Sequence, residues 1–324
     1  MVVTRRGAIA SGLAAGLAGC AGQDIVSVSP SAGAEAAYGF ADLAPLDLDP
    51  ANLTKITVCL RPFRTSGPRL EVDRAGQRVL IHNYGHGGSG WSLAWGYAEA
   101  ARDLVARSRP NAVTVIGAGA IGLTAAIAIA ETGVRVTIAA RDMPMESASA
   151  KATGVWSPSS RIGLVGAVTP QFAGQWEEFA RRSYARHLRY VGRVGHPVEF
   201  TPRFYVRSGA PEPQLSVQPD GAASFLHIDR NLRGLTPPWN ERERHPFPTE
   251  YGVRGGLVMT FNIAEYTRQL VEDFRAMGGR IERMNLNSRE DFSSLPGDAI
   301  VNCSGLGAQT IGAQARRFVR RTAG

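Results

Sequence analysis

The sequence predicts an α/β fold in two lobes, on three observations. The chain has 324 residues, 44% hydrophobic and 20% charged, an ordinary globular composition with length for two cores. The apolar run 112–116 leads directly into Gly117, Gly119 and Gly122, spaced G-x-G-x-x-G, and then into a second apolar stretch without helix breakers. Past Gly133 a β-favouring run, 135–139, follows. Strand, glycine turn, helix and strand within about 30 residues form a βαβ unit, the start of a doubly wound, Rossmann-like parallel sheet.

The remaining elements are read in chain order. Residues 56–60 are a short β-favouring run before Arg61-Pro62, and 79–81 are another. Residues 92–107 have helical spacing, with Leu93, Trp95, Ala98, Ala101 and Leu104 near one face. Pro110 and Asn111 break the chain before the strand at 112–116, and the helix at 121–132 ends at Gly133. Residues 171–192 are predicted helical. Residues 196–260 mix short strands with Pro-rich turns, the mixed sheet of a second lobe. An amphipathic helix at 262–277 stops at Gly278-Gly279, and a last strand at 299–302 runs into Cys303-Ser304-Gly305.

Charge excludes one class of partner. Of the net +8, Arg5, Arg6, Arg316, Arg317, Arg320 and Arg321 lie near the ends, leaving +2 for the body, so no nucleic-acid surface is predicted. Arg5-Arg6 precede a short Ala/Gly/Leu run that ends Leu17-Ala18-Gly19-Cys20. This resembles a twin-arginine export signal with a bacterial lipoprotein cleavage box. The expectation is an exported protein, membrane-anchored through lipidated Cys20 at the periplasmic or outer cell surface. Cys59 and Cys303 are open to a disulfide in such a compartment, but two buried thiols are the expected state.

The glycine turn defines a dinucleotide cradle. Gly117 permits the tight turn, Gly119 admits the backbone to a pyrophosphate, and Gly122 lets helix and strand approach. The amides of Ala120 and Ile121 open the helix toward the phosphates. Asp142 is the nearest acid for the ribose hydroxyls. Its neighbour Arg141 keeps a 2′-phosphate, and so NADP, in play.

A second glycine-rich stretch precedes the cradle: Ile81-His82-Asn83-Tyr84-Gly85-His86-Gly87-Gly88-Ser89-Gly90-Trp91-Ser92. His82 and His86 are four apart, but glycines 85, 87 and 88 exclude a helix and no acidic third ligand is near. No metal site is therefore predicted, and both histidines are expected to hydrogen-bond within the loop.

The stretch resembles the C-terminal flavin-binding signature of the D-amino-acid oxidase family. Further matches are Leu60-Arg61-Pro62-Phe63-Arg64, the cradle, Ala152-Thr153-Gly154-Val155-Trp156 and Val301-Asn302-Cys303-Ser304-Gly305. In that family the signature closes the chain, whereas here it precedes the cradle, so a circular permutation is expected.

The resemblance implies FAD as cofactor and oxidative deamination of a D-amino acid by oxygen, giving a 2-oxo acid, ammonia and hydrogen peroxide. It makes Arg61 the substrate-carboxylate clamp and gives the Gly88 carbonyl to the substrate amine. Gly87 to Ser92, that is Gly87, Gly88, Ser89, Gly90, Trp91 and Ser92, would wrap the flavin ring. Thr153 and Gly154, within 152–156, would line its other side. Alternatives are a non-catalytic flavin-binding remnant and an NAD(P)-dependent dehydrogenase.

The expected organisation is a signal at 1–22, a linker at 23–55, an FAD-binding domain from 56–160 and 295–312, a substrate domain at 161–294 and a basic tail at 313–324. The strands that join the Asn302 strand to the Arg61 strand in the family have no counterpart after Gly305 or before Ile56, so a truncated substrate sheet is expected.

Overall fold

A computed structural model of the chain describes residues 49–207, 224–232, 234–235, 240–241 and 252–311. Cys20, the rest of the leader, most of the 23–55 linker and the basic tail lie outside them.

The glycine-rich stretch begins on a hairpin. β1 (Arg69–Ala75) and β2 (Arg78–Tyr84) pair antiparallel through a turn at Gly76, whose φ of 63° suits a two-residue hairpin. α1 (Gly90–Ala106) follows, then β3 (Ala112–Ile116), α2 (Ala120–Ala130) and β4 (Arg135–Ala140). β1 was not apparent in the sequence, because Arg69, Glu71 and Asp73 give it the polar face of an edge strand.

The chain returns to this sheet late. β8 (Arg280–Arg283) extends it beyond β4, and β9 (Ala299–Asn302) inserts between β2 and β3. The order is β1-β2-β9-β3-β4-β8, parallel from β2 to β8. Val301 pairs with both Ile81 and Val115, so the strand entering the glycine-rich stretch lies two places from the cradle strand.

Both faces of this sheet are covered, as a parallel sheet requires. Ile81, Val113, Val115 and Val301 face α1 and α2, while Leu80, Ile116 and Ile300 pack on Phe292, Leu295 and Ile311. α3 (Phe172–Leu188) crosses α1 at Gly96, where a Cβ would lie 2.1 Å from the Phe179 carbonyl oxygen. The smaller sheet is antiparallel, ordered β5 (Val198–Arg207), β7 (Gly252–Phe261), β6 (Asn240–Glu241). α4 (Ile263–Ala276) follows β7, with the Asn262 side chain capping its first turn.

Three expectations need correction. Residues 56–60 form no regular element and pair with no strand among the described residues, and Ile56, Val58 and Leu60 are 76%, 77% and 53% exposed. β-propensity needs a neighbour to satisfy the ladder, and no described strand pairs with them. The helix predicted to 192 ends at Leu188, before the left-handed Gly192. Cysteine burial holds for Cys303 alone: Cys59 is half-buried, and both thiols are free.

A buried polar chain locks the helices. The Trp95 indole donates to the Tyr266 hydroxyl (2.8 Å), which lies 2.8 Å from Nδ1 of His187. His187 Nε2 lies 3.1 Å from the Trp91 carbonyl oxygen and must donate to it. Nδ1 is then left to accept from Tyr266, so the ring is neutral. Burial pushes the pKa of His187, and that of fully buried His86, down to about 3.

Below about pH 6.5 the unfolded chain takes up protons that these two folded rings refuse, so stability present above that pH is lost as pH falls toward 3. Each ring contributes about 1.4 kcal/mol per pH unit in that window. Urea melts at pH 7 and pH 5 should differ by about 4 kcal/mol. Equal midpoints would mean that the rings protonate in the folded state.

Candidate functional site

A cavity of about 540 Å³ opens where the parallel strands end. Its wall includes Asn83 and Tyr84 from β2, Cys303 and Ser304 after β9, Ile116 and Gly117 at the end of β3, Ala140 and Arg141 at the end of β4, and Met284 after β8. The carboxyl edge of a doubly wound sheet, where crossovers diverge, is where such folds hold ligands.

The cradle has the geometry its glycines predict. Gly117 has φ 101°, and a Cβ there would sit 2.7 Å from the Cys303 carbonyl oxygen. A Cβ on Gly122 would lie 1.9 Å from the Gly117 carbonyl oxygen, so only glycine lets α2 start this close to β3. Gly117, Gly119 and Ile121 line the cavity. Ala120 does not line it. Its amide donates to Ser149 Oγ at 3.0 Å, so a hydroxyl meets the positive end of α2. Ser147, Ser149 and Lys151 join this wall without having been singled out in the sequence. They come from turns after β4 with no motif spacing; Ser147 and Ser149 approach Gly119 through space, and Lys151 is identified by its place in the cavity wall.

At the far end Arg141 donates to both oxygens of Asp142, at 3.0 and 2.8 Å, and this hydrogen bonding holds the carboxyl below its usual range. The pair is solvent-facing and worth only about 0.2–1 kcal/mol, so a ribose diol can compete for it. Asn285, Leu286 and Asn287 line the same cavity.

The glycine-rich stretch forms the opposite end. Gly85 and Gly87 are left-handed, and a Cβ on Gly87 would lie 2.0 Å from the Arg161 carbonyl oxygen. The site of a Gly88 Cβ lies 3.1 Å from Arg61 Nη1 and 2.5 Å from Ser160 Oγ. Arg61, Gly87, Gly88, Gly90 and Trp91 therefore meet at the cavity. Arg61 has no carboxylate within ion-pair distance among the described residues. Its pKa is lowered by burial and by the charge of Arg161.

Ser89 and Ser92 turn away from this wall. Ser89 Oγ donates to the Ser160 carbonyl at 3.0 Å, and Ser92 Oγ accepts the Ser157 amide at 2.8 Å. Once α1 begins at Gly90, its geometry carries these side chains toward the 157–160 turn, so both hydroxyls brace scaffold rather than line the cavity. In the 152–156 stretch only Ala152 and Thr153 line it. Gly154 is buried, φ 71°, with its carbonyl accepting the Phe261 amide at 2.7 Å, and Trp156 packs edge-on against Tyr184 in the core. From its third residue onward the stretch is held by backbone pairing to β7, which places Gly154 in the scaffold beside the cavity wall.

The histidines also differ from expectation. His82 lies in β2, where Nε2 is 3.2 Å from Asp73 Oδ2 and Nδ1 is 3.4 Å from Asn302 Nδ2, so its contacts cross strands. His86 Nε2 is buried without a hydrogen-bond partner and its ring meets Tyr97 edge-on at 4.4 Å. No group of three metal-ligand residues occurs among the described residues, and no described helix is long and apolar enough to cross a membrane.

These features fit a dinucleotide bearing a flat polar ring. Gly117, Gly119, Ser147, Ser149 and Lys151 line the cavity together and offer amides, hydroxyls and a cation for a pyrophosphate. Asn83 Oδ1 and His86 Nε2, two buried polar atoms without partners, belong to residues lining the ring end.

Comparison with known proteins agrees. A family model described as FAD dependent oxidoreductase matches residues 112–323, a range that starts after the 81–92 stretch. A D-amino-acid oxidase of Rubrobacter xylanophilus is 32% identical over 206 residues, 61% of this chain and 53% of that protein. A D-amino-acid oxidase of Dictyostelium discoideum is 27% identical over 202 residues, 61% of this chain and 51% of that protein. A D-aspartate oxidase of Cryptococcus neoformans is 46% identical over 56 residues, 17% of this chain and 14% of that protein. The chain thus spans about half the length of the first two relatives.

Proposed function

The chain belongs to the FAD-dependent oxidoreductase family, and from that premise we propose that it oxidises D-amino acids to 2-oxo acids, with oxygen as final acceptor. FAD is the cofactor of these homologues. When bound, it supplies the acceptor for the substrate hydride and returns two electrons to oxygen.

The observation that carries the reading is the Arg61 guanidinium, without an ion-pair partner among the described residues and beside Gly88, lining the same cavity as Gly117, Gly119 and Ile121 of the cradle. A guanidinium donates two parallel hydrogen bonds to a carboxylate, which fixes the α-carbon of an amino acid in orientation as well as position. The Gly88 carbonyl is assigned to the substrate amine, whose proton it can accept in a hydrogen bond. The absent Cβ leaves room for a ring to lie against the loop. Lys151, Ser147 and Ser149 are assigned to the pyrophosphate, and Asp142 to the ribose. Loss of the α-hydrogen as hydride needs no protein base, so orientation is the residues' main contribution. Water then hydrolyses the imine to 2-oxo acid and ammonium.

The permuted order is part of this proposal. It is supported by the placement of β2 beside β9 and two strands from β3, which brings the 81–92 stretch to the cradle with the connection from Arg107 to Asn111 short enough to join them.

Anaerobic mixing of FAD-loaded protein with D-alanine is expected to bleach the oxidised-flavin absorbance, with no bleaching by L-alanine. Tight FAD binding without bleaching by any D-amino acid would leave a non-catalytic flavin protein. Selective binding of NADPH over FAD would instead favour a dehydrogenase and remove the flavin assignment.

A further inference from the structure

We infer that Asp73, His82 and Asn302 form a hydrogen-bond chain of one direction that makes the Ser304 hydroxyl an acceptor at the cavity wall, with His82 as its positioning residue. The partner of that hydroxyl is an O–H or N–H donor of the bound dinucleotide. This rests on the dinucleotide assignment of the cavity and not on which substrate is oxidised.

The direction follows from donors that cannot reverse. The Ser304 N–H donates to Asn302 Oδ1 at 3.1 Å, so that oxygen is the acceptor end of the amide. The Ser304 hydroxyl lies 2.6 Å from the same oxygen and donates to it. The Nδ2 end of Asn302 then meets His82 Nδ1 at 3.4 Å. A ring nitrogen facing an N–H can only accept, so the His82 proton sits on Nε2. Nε2 lies 3.2 Å from Asp73 Oδ2 and donates to it.

The far end of the chain is a carboxylate. Burial acts to raise Asp73, but hydrogen bonds from the Arg74 amide, His82 and Arg289 bring it down to about 2. Arg289 Nη2 is 2.9 Å from Asp73 Oδ2. Glu71 faces His82 across the β1–β2 pair and is held by Arg69 at 2.7 Å. Burial, and after it the charge of Arg69, lowers the His82 pKa, so the ring stays neutral at neutral pH. A doubly protonated ring would set Nδ1–H against the Asn302 amide and turn Oδ1 away from Ser304. His82 and Asn302 are both fully buried, so a broken link there leaves a polar group unpaired.

The near end reaches the cradle. Ser304 lines the cavity, and its Cα is 3.3 Å from where a Gly117 Cβ would stand. With its proton committed to Asn302, the hydroxyl has only lone pairs left for a ligand. Bonds aligned in one direction polarise one another, so the Asp73 carboxylate strengthens acceptance at Ser304.

The test uses the full chain and FAD itself. Isotope-edited NMR of the histidine ring nitrogens, before cofactor is added, should show His82 as the Nε2–H tautomer, its signals identified by their loss in His82→Asn. An Nδ1–H tautomer overturns the proposal. His82→Leu keeps bulk but removes the acceptor, and should weaken FAD binding about three- to tenfold, the scale of one hydrogen bond. His82→Asn puts Oδ1 as many bonds from the backbone as Nδ1, so it should restore affinity even though the void it leaves lowers the melting temperature. A purely structural role gives the opposite order, with affinity following stability. Ser304→Ala should also weaken FAD binding, and adding His82→Leu to it should cost little more, because the link is already cut. Additive losses, or affinity that tracks melting temperature across the variants, overturn the chain while leaving FAD binding in place. A wild-type protein that does not bind FAD overturns the dinucleotide assignment and the proposal with it.

Discussion

Arg61→Ala should raise the KM for D-amino acids about 100-fold or more, and Arg61→Lys should recover only part of the loss. The size follows from the charge-assisted contacts removed, worth about 1.5–3 kcal/mol each, where every 1.4 kcal/mol is tenfold. Lysine restores the charge but not the planar fork, so orientation of the α-carbon suffers and kcat falls with it. Steady-state kinetics on both variants, with FAD affinity measured in parallel, check this. Arg61 stands beside the loop at Gly88, far from the cradle in sequence and on another strand connection, so FAD affinity should change little. Kinetics like those of the wild type would remove Arg61 from the substrate site.

Gly122→Ala should be the most damaging single methyl in the molecule. Its Cβ would be 1.9 Å from the Gly117 carbonyl oxygen and 3.6 Å from Cys303 Cβ, and the nearer atom is backbone that cannot rotate away. Relief requires α2 to back off β3 or the 117–119 turn to open. Overpacking of this kind costs about 1–3 kcal/mol, and either movement displaces the amides meant for the pyrophosphate. Thermal melts with and without FAD should show a lower melting temperature and a smaller rise on adding cofactor. Gly174→Ala is the control: it lies in α3 with nothing within 4 Å, so helix propensity should raise stability by up to about 1 kcal/mol. A Gly122→Ala protein that melts and binds FAD like the wild type would mean that the close approach of α2 is not needed.

Legibility in the sequence followed the range of the physics. The strand and helix of the cradle were readable because a buried strand, a left-handed glycine and an apolar helix each impose requirements on a handful of neighbours. β3 and β9 matched their expected bounds, and α1, α2 and α4 matched within about two residues at each end, a usual margin. β1 escaped because an edge strand carries alternating charge. Residues 56–60 misled because β-branched composition states a preference but not the presence of a partner.

The site divided in the same way. Arg61, Gly88, Gly117 and Gly119 stand at the cavity as their motifs implied. Ser89, Ser92 and Gly154 carry the same motifs, but helix phase and pairing to β7 point them into scaffold. Ser147, Ser149 and Lys151 had no motif to announce them.

By itself, then, the sequence determined the nucleotide-binding α/β class, the glycine cradle and the family resemblance, since these depend on steric rules acting over a few residues. The tertiary structure alone decided which side chains reach the cavity and which charges stand near each other. The reason is the placement of β9 between β2 and β3: it joins segments more than 180 residues apart in the chain, and no local period encodes that neighbourhood.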